Sequence, residues 1–388
     1  MKVLHVIPSI SPLRGGPSQA VIEMVRAIRK EGVDACIVTT QDNGIYRKPQ
    51  LPADSWILYE DVPVLLHSCI DSRIRAIREY LISPAFAQWL IRNIDQYDLV
   101  HFHAVFSFPS TVGMAIARIK GIPYIVRTIG QLSPWSLKQG LLRKKLMMGI
   151  IESGNLKHAN AIHVTSNNEL QDLKLLGFES TVFTMGLGVS LPVQSFQKNS
   201  PSAQKDKKLS FLYLSRIHPK KQIELLFQAL SILKLKLHEE NWELALAGTG
   251  EVGYLEKLKK EAEALCIEGH LVWHGHVSGS EKLDLLGKSD WFVLTSASEN
   301  FGISVVEAMA ASIPVIITES VGIAEKVHNY SAGYICQDRP EEIAEILRKA
   351  IQGHNTVQMS TAARKLVEEE FSWPCIGKSL TNLYSKLI

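Results

Sequence analysis

Short apolar runs alternate along the chain with longer stretches in which apolar residues recur at helical spacing. In the first half, the short runs predict strands at residues 2–7, 35–39, 99–103, 124–128, 161–165 and 181–184. The helical stretches between them include residues 18–30, 73–94 and 169–176. Apolar strands without polar alternation are typical of a parallel sheet that helices cover on both faces.

The same pattern begins again at Leu209, after a polar segment at 197–208 that we interpret as an interdomain linker or a loop beside it. It predicts strands at residues 209–214, 243–247, 271–274, 291–295, 315–318 and 333–336. Helices are predicted at residues 222–234, 254–264, 281–286, 305–311 and, at the end, 376–388.

Together these patterns predict an α/β fold with two doubly wound, Rossmann-like domains that face each other across a cleft. We expect an N-terminal domain at 1–195, a C-terminal domain at 205–370, and a closing helix at 371–388 that crosses back to the first domain. In such sheets, ligands bind in the crevice at the carboxyl ends of the strands.

The composition narrows the class of protein only modestly. With 388 residues, 46% of them hydrophobic, the chain can form two domains with cores of their own. The formal net charge of +3 gives no reason to expect a nucleic-acid partner. We find no run of about 18 apolar residues, and the apolar start is too short for a signal peptide, so we expect a cytoplasmic protein.

The five cysteines support the same expectation, because they are scattered and none has metal-ligand spacing. We therefore expect no zinc site.

The segment from Thr295 to Met309 is the strongest candidate for chemistry, since it follows a predicted strand and leads into a predicted helix. Free N–H groups at such a helix start favour an anion, and Gly302 allows the backbone to approach a ligand closely. Glu299 and Glu307 can face the same crevice, where carboxylates accept hydrogen bonds from sugar hydroxyls. The alternative is a pair of solvated glutamates.

A second strand-to-helix segment carries Arg216 and Lys221, two cations whose spacing suits a diphosphate. The alternative is a solvated basic turn. A third segment carries Gly15 and Gly16, which permit a tight turn with inward N–H groups, although it lacks a dinucleotide fingerprint. Here the alternative is a plain turn.

Two histidines, His101 and His103, share one face of a predicted strand. We take His103, at the carboxyl end of the strand, as a candidate catalytic residue. The alternative is a core histidine whose hydrogen bonds are satisfied. Metal ligation needs a third ligand, and the spacing suggests none.

In this order, the segments resemble those of the retaining glycosyltransferases of family 4, also called group 1, which have the GT-B architecture. The matching pieces are GGPS, DLVHFH, SR-x-x-P-x-K, LALAGTGE, HGHVS and SENFGISVVEAM. The most specific single piece is the spacing of seven residues between Glu299 and Glu307.

The resemblance implies a role for each of these residues. Arg216 and Lys221 would hold the donor diphosphate, Glu299 would contact the donor sugar, and Glu307 would bind the ribose. Backbone donors to the sugar and phosphate would come from Phe301, Gly302, Ile303 and Ser304. Gly15 and Gly16 would line the gap between donor and acceptor, and Gly248 and Gly250 would shape the loop near the nucleotide. The implied reaction moves a hexose-type sugar from a UDP- or GDP-sugar to a saccharide or lipid-linked saccharide, without a metal cofactor, in cell-surface polysaccharide assembly. The first domain would be the acceptor side and the second would bind the nucleotide sugar.

The sequence departs from the family at Ile129, where many relatives have a histidine near the reacting carbon. The segment at 138–148 is basic and apolar, as in family members that touch a membrane or a lipid-linked acceptor; the alternative is a solvated helix face. Two other functions remain open. One is a nucleotide-sugar 2-epimerase on the same fold, and the other is a catalytically silent nucleotide-sugar-binding protein.

Overall fold

The structure is a computed structural model that describes residues 1–44, 51–178, 181–192, 208–353 and 355–388. The described residues form two compact units. Unit 1 comprises Met1–Gly188 and Trp373–Ile388, and unit 2 comprises Val189–Ser372. The predicted linker at 197–208 lies outside the described residues, apart from Lys208.

Unit 1 is built on an eight-stranded sheet in the order β3-β4-β2-β1-β5-β6-β7-β8. Its strands are β1 Lys2–Val6, β2 Asp34–Thr40, β3 Trp56–Tyr59, β4 Val62–His67, β5 Leu99–His103, β6 Tyr124–Arg127, β7 Ala161–Val164 and β8 Val182–Thr184. Its helices are α1 Gly16–Lys30, α2 Arg75–Tyr80, α3 Pro84–Asn93, α4 Phe108–Lys120, α5 Pro134–Lys138, α6 Leu141–Met147, α7 Ser153–Lys157, α8 Asn167–Leu175 and α16 Trp373–Leu387. The antiparallel pair β3–β4 at the sheet edge was missed by the sequence analysis.

The single helix predicted at residues 73–94 is wrong, because the chain forms α2 and α3 instead. Leu81 ends α2 in the left-handed conformation, at φ 60°. Ser83 then caps α3 by accepting a hydrogen bond from the Phe86 N–H at 3.2 Å, and Pro84 occupies the first turn. Proline lacks an N–H and clashes with the preceding turn, so it starts a helix more readily than it continues one.

Unit 2 is built on a six-stranded parallel sheet in the order β11-β10-β9-β12-β13-β14. Its strands are β9 Leu209–Leu214, β10 Trp242–Ala247, β11 Leu271–Gly275, β12 Trp291–Leu294, β13 Val315–Thr318 and β14 Gly333–Cys336. Its helices are α9 Ile223–Leu235, α10 Val252–Ala264, α11 Gly279–Lys288, α12 Ile303–Ala310, α13 Ala324–Tyr330, α14 Pro340–Ile351 and α15 Thr356–Leu366. The predicted parallel α/β fold is confirmed in both units.

Alternating side chains give the sheet of unit 1 two apolar faces. Leu4 and Val6 belong to the core beneath α3 and α4, whereas Val3 and Ile7 belong to the core beneath α1 and α16. Helix α16 lies close against α1, and a Cβ atom added at Gly377 would lie 3.0 Å from the Ala27 backbone. The last helix is therefore part of the core of unit 1.

Each sheet has one point at which the strand order reverses direction. In unit 1 this point lies between β1 and β5, and in unit 2 it lies between β9 and β12. Loops that leave neighbouring strands on either side of such a point diverge and leave a crevice at their carboxyl ends. Among the residues that the structure describes, no helix is long and apolar enough to cross a membrane.

Candidate functional site

The loops after β9 and β12 meet at the strand reversal of unit 2. The Ala297 N–H donates a hydrogen bond to the Lys220 carbonyl at 3.0 Å, and the Thr295 hydroxyl donates to the Gln222 carbonyl at the same distance. Because β9 and β12 are sheet neighbours, residues far apart in sequence are held side by side here.

Lys221 and Glu299 form an ion pair across these two loops. The Glu299 backbone is fixed on its other side, since its N–H donates to Ser320 at 3.1 Å and its carbonyl accepts from Gly322 at 2.9 Å. The Lys221 side chain is nearly buried, whereas that of Glu299 is 23% exposed. The structure thus brings together two residues that the sequence analysis had placed in separate motifs.

Lys221 loses its proton more readily than an ordinary lysine. Burial, followed by the neighbouring cations Lys220 and Arg216, lowers the pKa of Lys221 to about 8. The Glu299 carboxylate acts in the opposite direction and favours the charged ammonium. An added anion would also stabilise the protonated form, as expected for a lysine that binds phosphate.

Arg216 is exposed in the loop after β9, which runs beside the loop after β10. The two loops touch where Ile217 pairs with Gly250, and a Cβ atom at Gly250 would lie 2.4 Å from the Ile217 carbonyl oxygen. At Gly248, φ is 149° and a Cβ atom would lie 1.8 Å from the Ser215 carbonyl oxygen. Both glycines therefore permit a backbone contact that any side chain would block.

The start of α12 lies one loop further along. Gly302 precedes it at φ 91°, a conformation that glycine adopts at little cost, and the buried Phe301 packs edge-on against Phe371. Ile303 and Ser304 are half-buried at the helix start. The first N–H groups of a helix have no partner within the helix, so they are available to an anion.

Glu307 lies one turn further into α12 and pairs with Lys282 of α11 at 2.7 Å. Both side chains are about one-third exposed or less. Lys282 was not predicted as a site residue, because nothing near it in sequence marks it as a partner of Glu307.

In unit 1, the candidate residues Gly15 and Gly16 are exposed at the start of α1. The adjacent Arg14 pairs with Asp42 at 2.6 Å, which ties the loop after β1 to that after β2. Ser18 donates to the Ser9 carbonyl at 2.9 Å and closes this turn from within.

His103 lies in a fully buried polar cluster, together with other side chains on the α1 and α16 face of the sheet. The cluster consists of His5, His101, His103, Arg127, His163 and Tyr384. Sheet register places His5 opposite His101, and Arg127 between His103 and His163. His103 is buried, as in the core interpretation, but within the described ranges its Nδ1 has no hydrogen-bond partner, so its hydrogen bonds are not all satisfied.

Burial keeps the imidazoles of the cluster neutral at pH 7, and hydrogen bonds orient two of them. The His163 Nε2–H donates to the Met185 carbonyl at 2.9 Å, and His101 Nδ1 lies 2.7 Å from the Tyr384 hydroxyl. Burial, followed by the Arg127 charge, lowers the pKa of His5 and of His163 to about 3. Burial also lowers the pKa of His101 well below its usual value, as it does for His103.

Arg127 carries the charge of this cluster. Burial lowers its pKa to about 10, so the guanidinium stays protonated at neutral pH. Within the described ranges, its three nitrogens have no hydrogen-bond partner and no carboxylate forms an ion pair with it. A buried cation without an ion pair costs stability.

The structure supplies a third histidine where the spacing had suggested none. Nitrogen atoms of His5, His101 and His103 all lie within 4.8 Å of one another. However, a metal ion there would lie close to the Arg127 guanidinium, and the repulsion between the two cations disfavours such a site. We therefore assign no metal to this cluster.

Two family profiles match the chain over most of its length. The profile described as Glycosyltransferase Family 4 matches residues 14–191, and that described as Glycosyl transferases group 1 matches residues 195–366.

Two curated relatives illustrate the range of similarity. The human alpha-1,3/1,6-mannosyltransferase ALG2 is 28% identical over 51% of this chain, and the match spans only about half (51%) of that relative's length. The GDP-mannose:cellobiosyl-diphosphopolyprenol alpha-mannosyltransferase of Komagataeibacter xylinus is 24% identical, over 100% of this chain and 94% of its own.

Solved structures show the same fold. Anabaena HepE in complex with UDP matches with a TM-score of 0.76 at 19% identity, and each chain is covered completely. The sucrose-phosphate synthase of Thermosynechococcus elongatus matches with a TM-score of 0.74 at 16% identity, over 100% of this chain and 99% of the other. With its two parallel-sheet units of the GT-B type and both profile matches, the chain belongs to family 4 of the glycosyltransferases, the group 1 enzymes.

Proposed function

We propose that the protein transfers a hexose-type sugar from a UDP- or GDP-sugar to a saccharide or lipid-linked saccharide acceptor. The observation that carries this proposal is the Lys221–Glu299 pair at the strand reversal of unit 2, beside the start of α12. A buried cation beside helix N–H groups suits a diphosphate, and a neighbouring carboxylate suits sugar hydroxyls. The K. xylinus relative is named for GDP-mannose, and Anabaena HepE was solved with UDP; both support a nucleotide-sugar donor.

The diphosphate would lie between Lys221, Arg216 and the N–H groups of Ile303 and Ser304. Lysine supplies a point charge, arginine a fork of donors, and the helix start a partial positive charge. As the bond between the sugar and the phosphate breaks, negative charge grows on the leaving nucleotide, and these fixed groups stabilise it. They supply this stabilisation without a metal ion, in keeping with a metal-independent reaction.

The two glutamates would contact the donor sugar and the ribose. Glu299, anchored between two loops, would accept hydrogen bonds from hydroxyls of the donor sugar, and Glu307 from the ribose hydroxyls. In a reaction that retains the anomeric configuration, the acceptor oxygen bonds to the anomeric carbon on the face that the phosphate leaves. The acceptor proton passes to the departing phosphate oxygen.

Unit 1 would provide the acceptor side, and its surface supports a lipid-linked acceptor or an anionic membrane. Leu142, Leu146 and Ile150 are 85%, 63% and 73% exposed. With the interleaved Arg143 and Lys145 they form a basic apolar patch at the predicted segment 138–148 and just beyond it. A groove of about 350 Å³ lies between this patch and α2. Apolar side chains among cations are typical of a peripheral membrane contact.

Vesicle flotation tests the patch. We expect Leu142→Glu combined with Leu146→Glu to abolish binding to phosphatidylglycerol vesicles, because membrane contact would then bury two carboxylates against the anionic lipid. Ile119→Glu is the matched control, since Ile119 is 80% exposed on α4 of the same unit. Equal binding by the wild type and the double variant would remove the membrane from the proposal.

The reaction itself is tested with a panel of UDP- and GDP-sugars and saccharide acceptors. Lys221→Ala and Glu299→Ala should each lower transfer at least about a hundredfold. Lys257→Ala, which breaks an exposed pair with Glu224 in the same unit, should have no effect. Transfer by either site variant at the wild-type rate would refute the site.

The same panel separates the two alternatives. An epimer formed from a UDP-sugar alone would indicate an epimerase. Nucleotide binding without transfer to any acceptor would indicate a silent binding protein.

A further inference from the structure

Two neighbouring loops of unit 1 hold residues in an unfavourable backbone conformation. In the loop after β6, Ile129 has φ 53° and Gly130 has φ 67°. In the loop after β5, Ala104 has φ 86° and Phe106 has φ 57°. A left-handed conformation is costly for a β-branched residue such as Ile129, so surrounding contacts must hold it in place.

Glu169 provides these contacts for the loop after β6. Its side chain is 2% exposed, in the first turn of α8, where the Ser166 hydroxyl accepts from the Glu169 N–H at 3.2 Å. One carboxylate oxygen accepts from the Thr128 hydroxyl and from the Gly130 N–H, each at 2.5 Å. The other accepts from the Thr165 N–H at 2.9 Å and from its hydroxyl at 3.1 Å.

The bond to the Gly130 N–H fixes the whole peptide between Ile129 and Gly130. In a trans peptide, the carbonyl points opposite to the N–H, so the Ile129 carbonyl is directed away from the buried glutamate. Glu169 thereby determines that the Ile129 carbonyl, and not the Gly130 N–H, points away from the buried carboxylate at the carboxyl end of β6. A carboxylate is suited to this role because it only accepts and can satisfy several donors at once.

The loop after β5 is tied to the same arrangement. The Gln131 side chain accepts from the Val105 N–H at 2.7 Å, and the Arg127 carbonyl accepts from the Ala104 N–H at 2.8 Å. A second buried glutamate, Glu152, accepts from the Phe106 N–H at 3.2 Å. Since β5 borders the strand reversal of unit 1, these two hydrogen-bonded loops lie beside the crevice expected there.

We propose that Glu169 is a positioning residue for the transfer reaction, which holds the Thr128–Gly130 backbone in the orientation that the acceptor requires. The inference rests on the proposed function, because it assigns the crevice of unit 1 to the acceptor. The middle residue of this segment is Ile129, whose side chain has no polar group. Backbone orientation is then the only polar means by which this residue can contact an acceptor.

Two near-isosteric variants separate this role from a purely structural one. Thr128→Val and Thr165→Val each remove one hydroxyl that donates to Glu169, the first on the loop side and the second on the helix side. Each variant, in the full chain, is compared with the wild type. The readouts are kcat and acceptor KM, the affinity for UDP and GDP, and hydrogen exchange of the peptide that contains Gly130.

We expect Thr128→Val to lower kcat about tenfold or more, since small misplacements of reacting groups slow a reaction strongly. Exchange at Gly130 should accelerate, and nucleotide affinity should stay unchanged because the nucleotide binds unit 2. Thr165→Val should keep kcat within about twofold of the wild type. Equal loss in both variants, or no loss in Thr128→Val, would overturn the proposal.

The outcome also distinguishes this proposal from the proposed function. If the wild type transfers sugar to no acceptor, the proposed function fails. Hydrogen exchange still decides whether Glu169 holds the loop: unchanged exchange at Gly130 in Thr128→Val would refute it.

Discussion

Unit 2 and unit 1 both place charged side chains at the carboxyl ends of neighbouring strands. In unit 2, Lys221 and Glu299 pair across two loops, and part of the carboxylate remains exposed. In unit 1, Arg127 is fully buried among four histidines, and within the described ranges no carboxylate forms an ion pair with it. A paired, partly open arrangement can exchange its internal partner for a ligand at little cost. The charge of the fully buried Arg127 can be balanced only by groups inside unit 1. The two clusters should therefore respond oppositely to pH and to substitution.

The largest expected difference is in acid. The four buried histidines of unit 1 are His5, His101, His103 and His163. Their pKa is lowered in the folded state, to about 3 for His5 and His163, so the unfolded chain binds more protons. Their contribution is intact above the unfolded pKa of about 6.5 and is lost as pH falls through it towards the folded value. For His5 and for His163, protonation of the unfolded chain should lower the free energy of unfolding by about 2 kcal/mol each between pH 7 and pH 5, and His101 and His103 should act in the same direction.

Hydrogen exchange across this pH range locates the loss. We expect peptides of β1, β5 and β7 to lose protection at a higher pH than those of β9 and β12. Simultaneous loss in both units would mean that the histidine cluster does not determine acid stability.

The next largest difference concerns the two cations. Arg127→Met removes a buried charge that forms no ion pair with the residues the structure describes, and it should raise the free energy of unfolding by about 1–3 kcal/mol. Lys221→Met leaves the Glu299 carboxylate without its partner and should lower it by about the same amount. Urea unfolding at neutral pH measures both. If Arg127→Met destabilises the protein, the prediction is wrong, and the nearby Glu169 carboxylate compensates the guanidinium without forming an ion pair.

The smallest expected effect is on donor binding. Because the pKa of Lys221 is lowered to about 8, its charge is lost as pH rises through that value. The affinity for UDP or GDP should fall about tenfold between pH 7 and pH 9. Calorimetry checks this, and Lys221→Arg, whose guanidinium stays charged, should remove the dependence. A similar decline in the arginine variant would place the titrating group elsewhere.

Much of the fold was predictable because buried strands appear as short apolar runs, and all six predicted strands of unit 2 are confirmed to within one residue. Strands β3 and β4 were missed because β3 alternates between exposed and half-buried positions and β4 contains Pro63. The pairings of Lys221 with Glu299 and of Glu307 with Lys282 could not be predicted, since they depend on which elements become neighbours. The same holds for Arg127, whose surroundings come from strands far apart in sequence.

The chain passes between the two units twice, since unit 1 is completed by α16 after unit 2 has been formed. Ile376, Leu380 and Tyr384 of this helix belong to the core of unit 1. During synthesis, the continuous unit 2 can fold as a whole before unit 1 is complete, although its codons follow most of those of unit 1. Until α16 is synthesised, the face of the unit 1 sheet that α1 and α16 share is only partly covered. We therefore expect isolated unit 2 to fold when expressed alone, whereas residues 1–188 need α16, fused or added as a peptide, to do so.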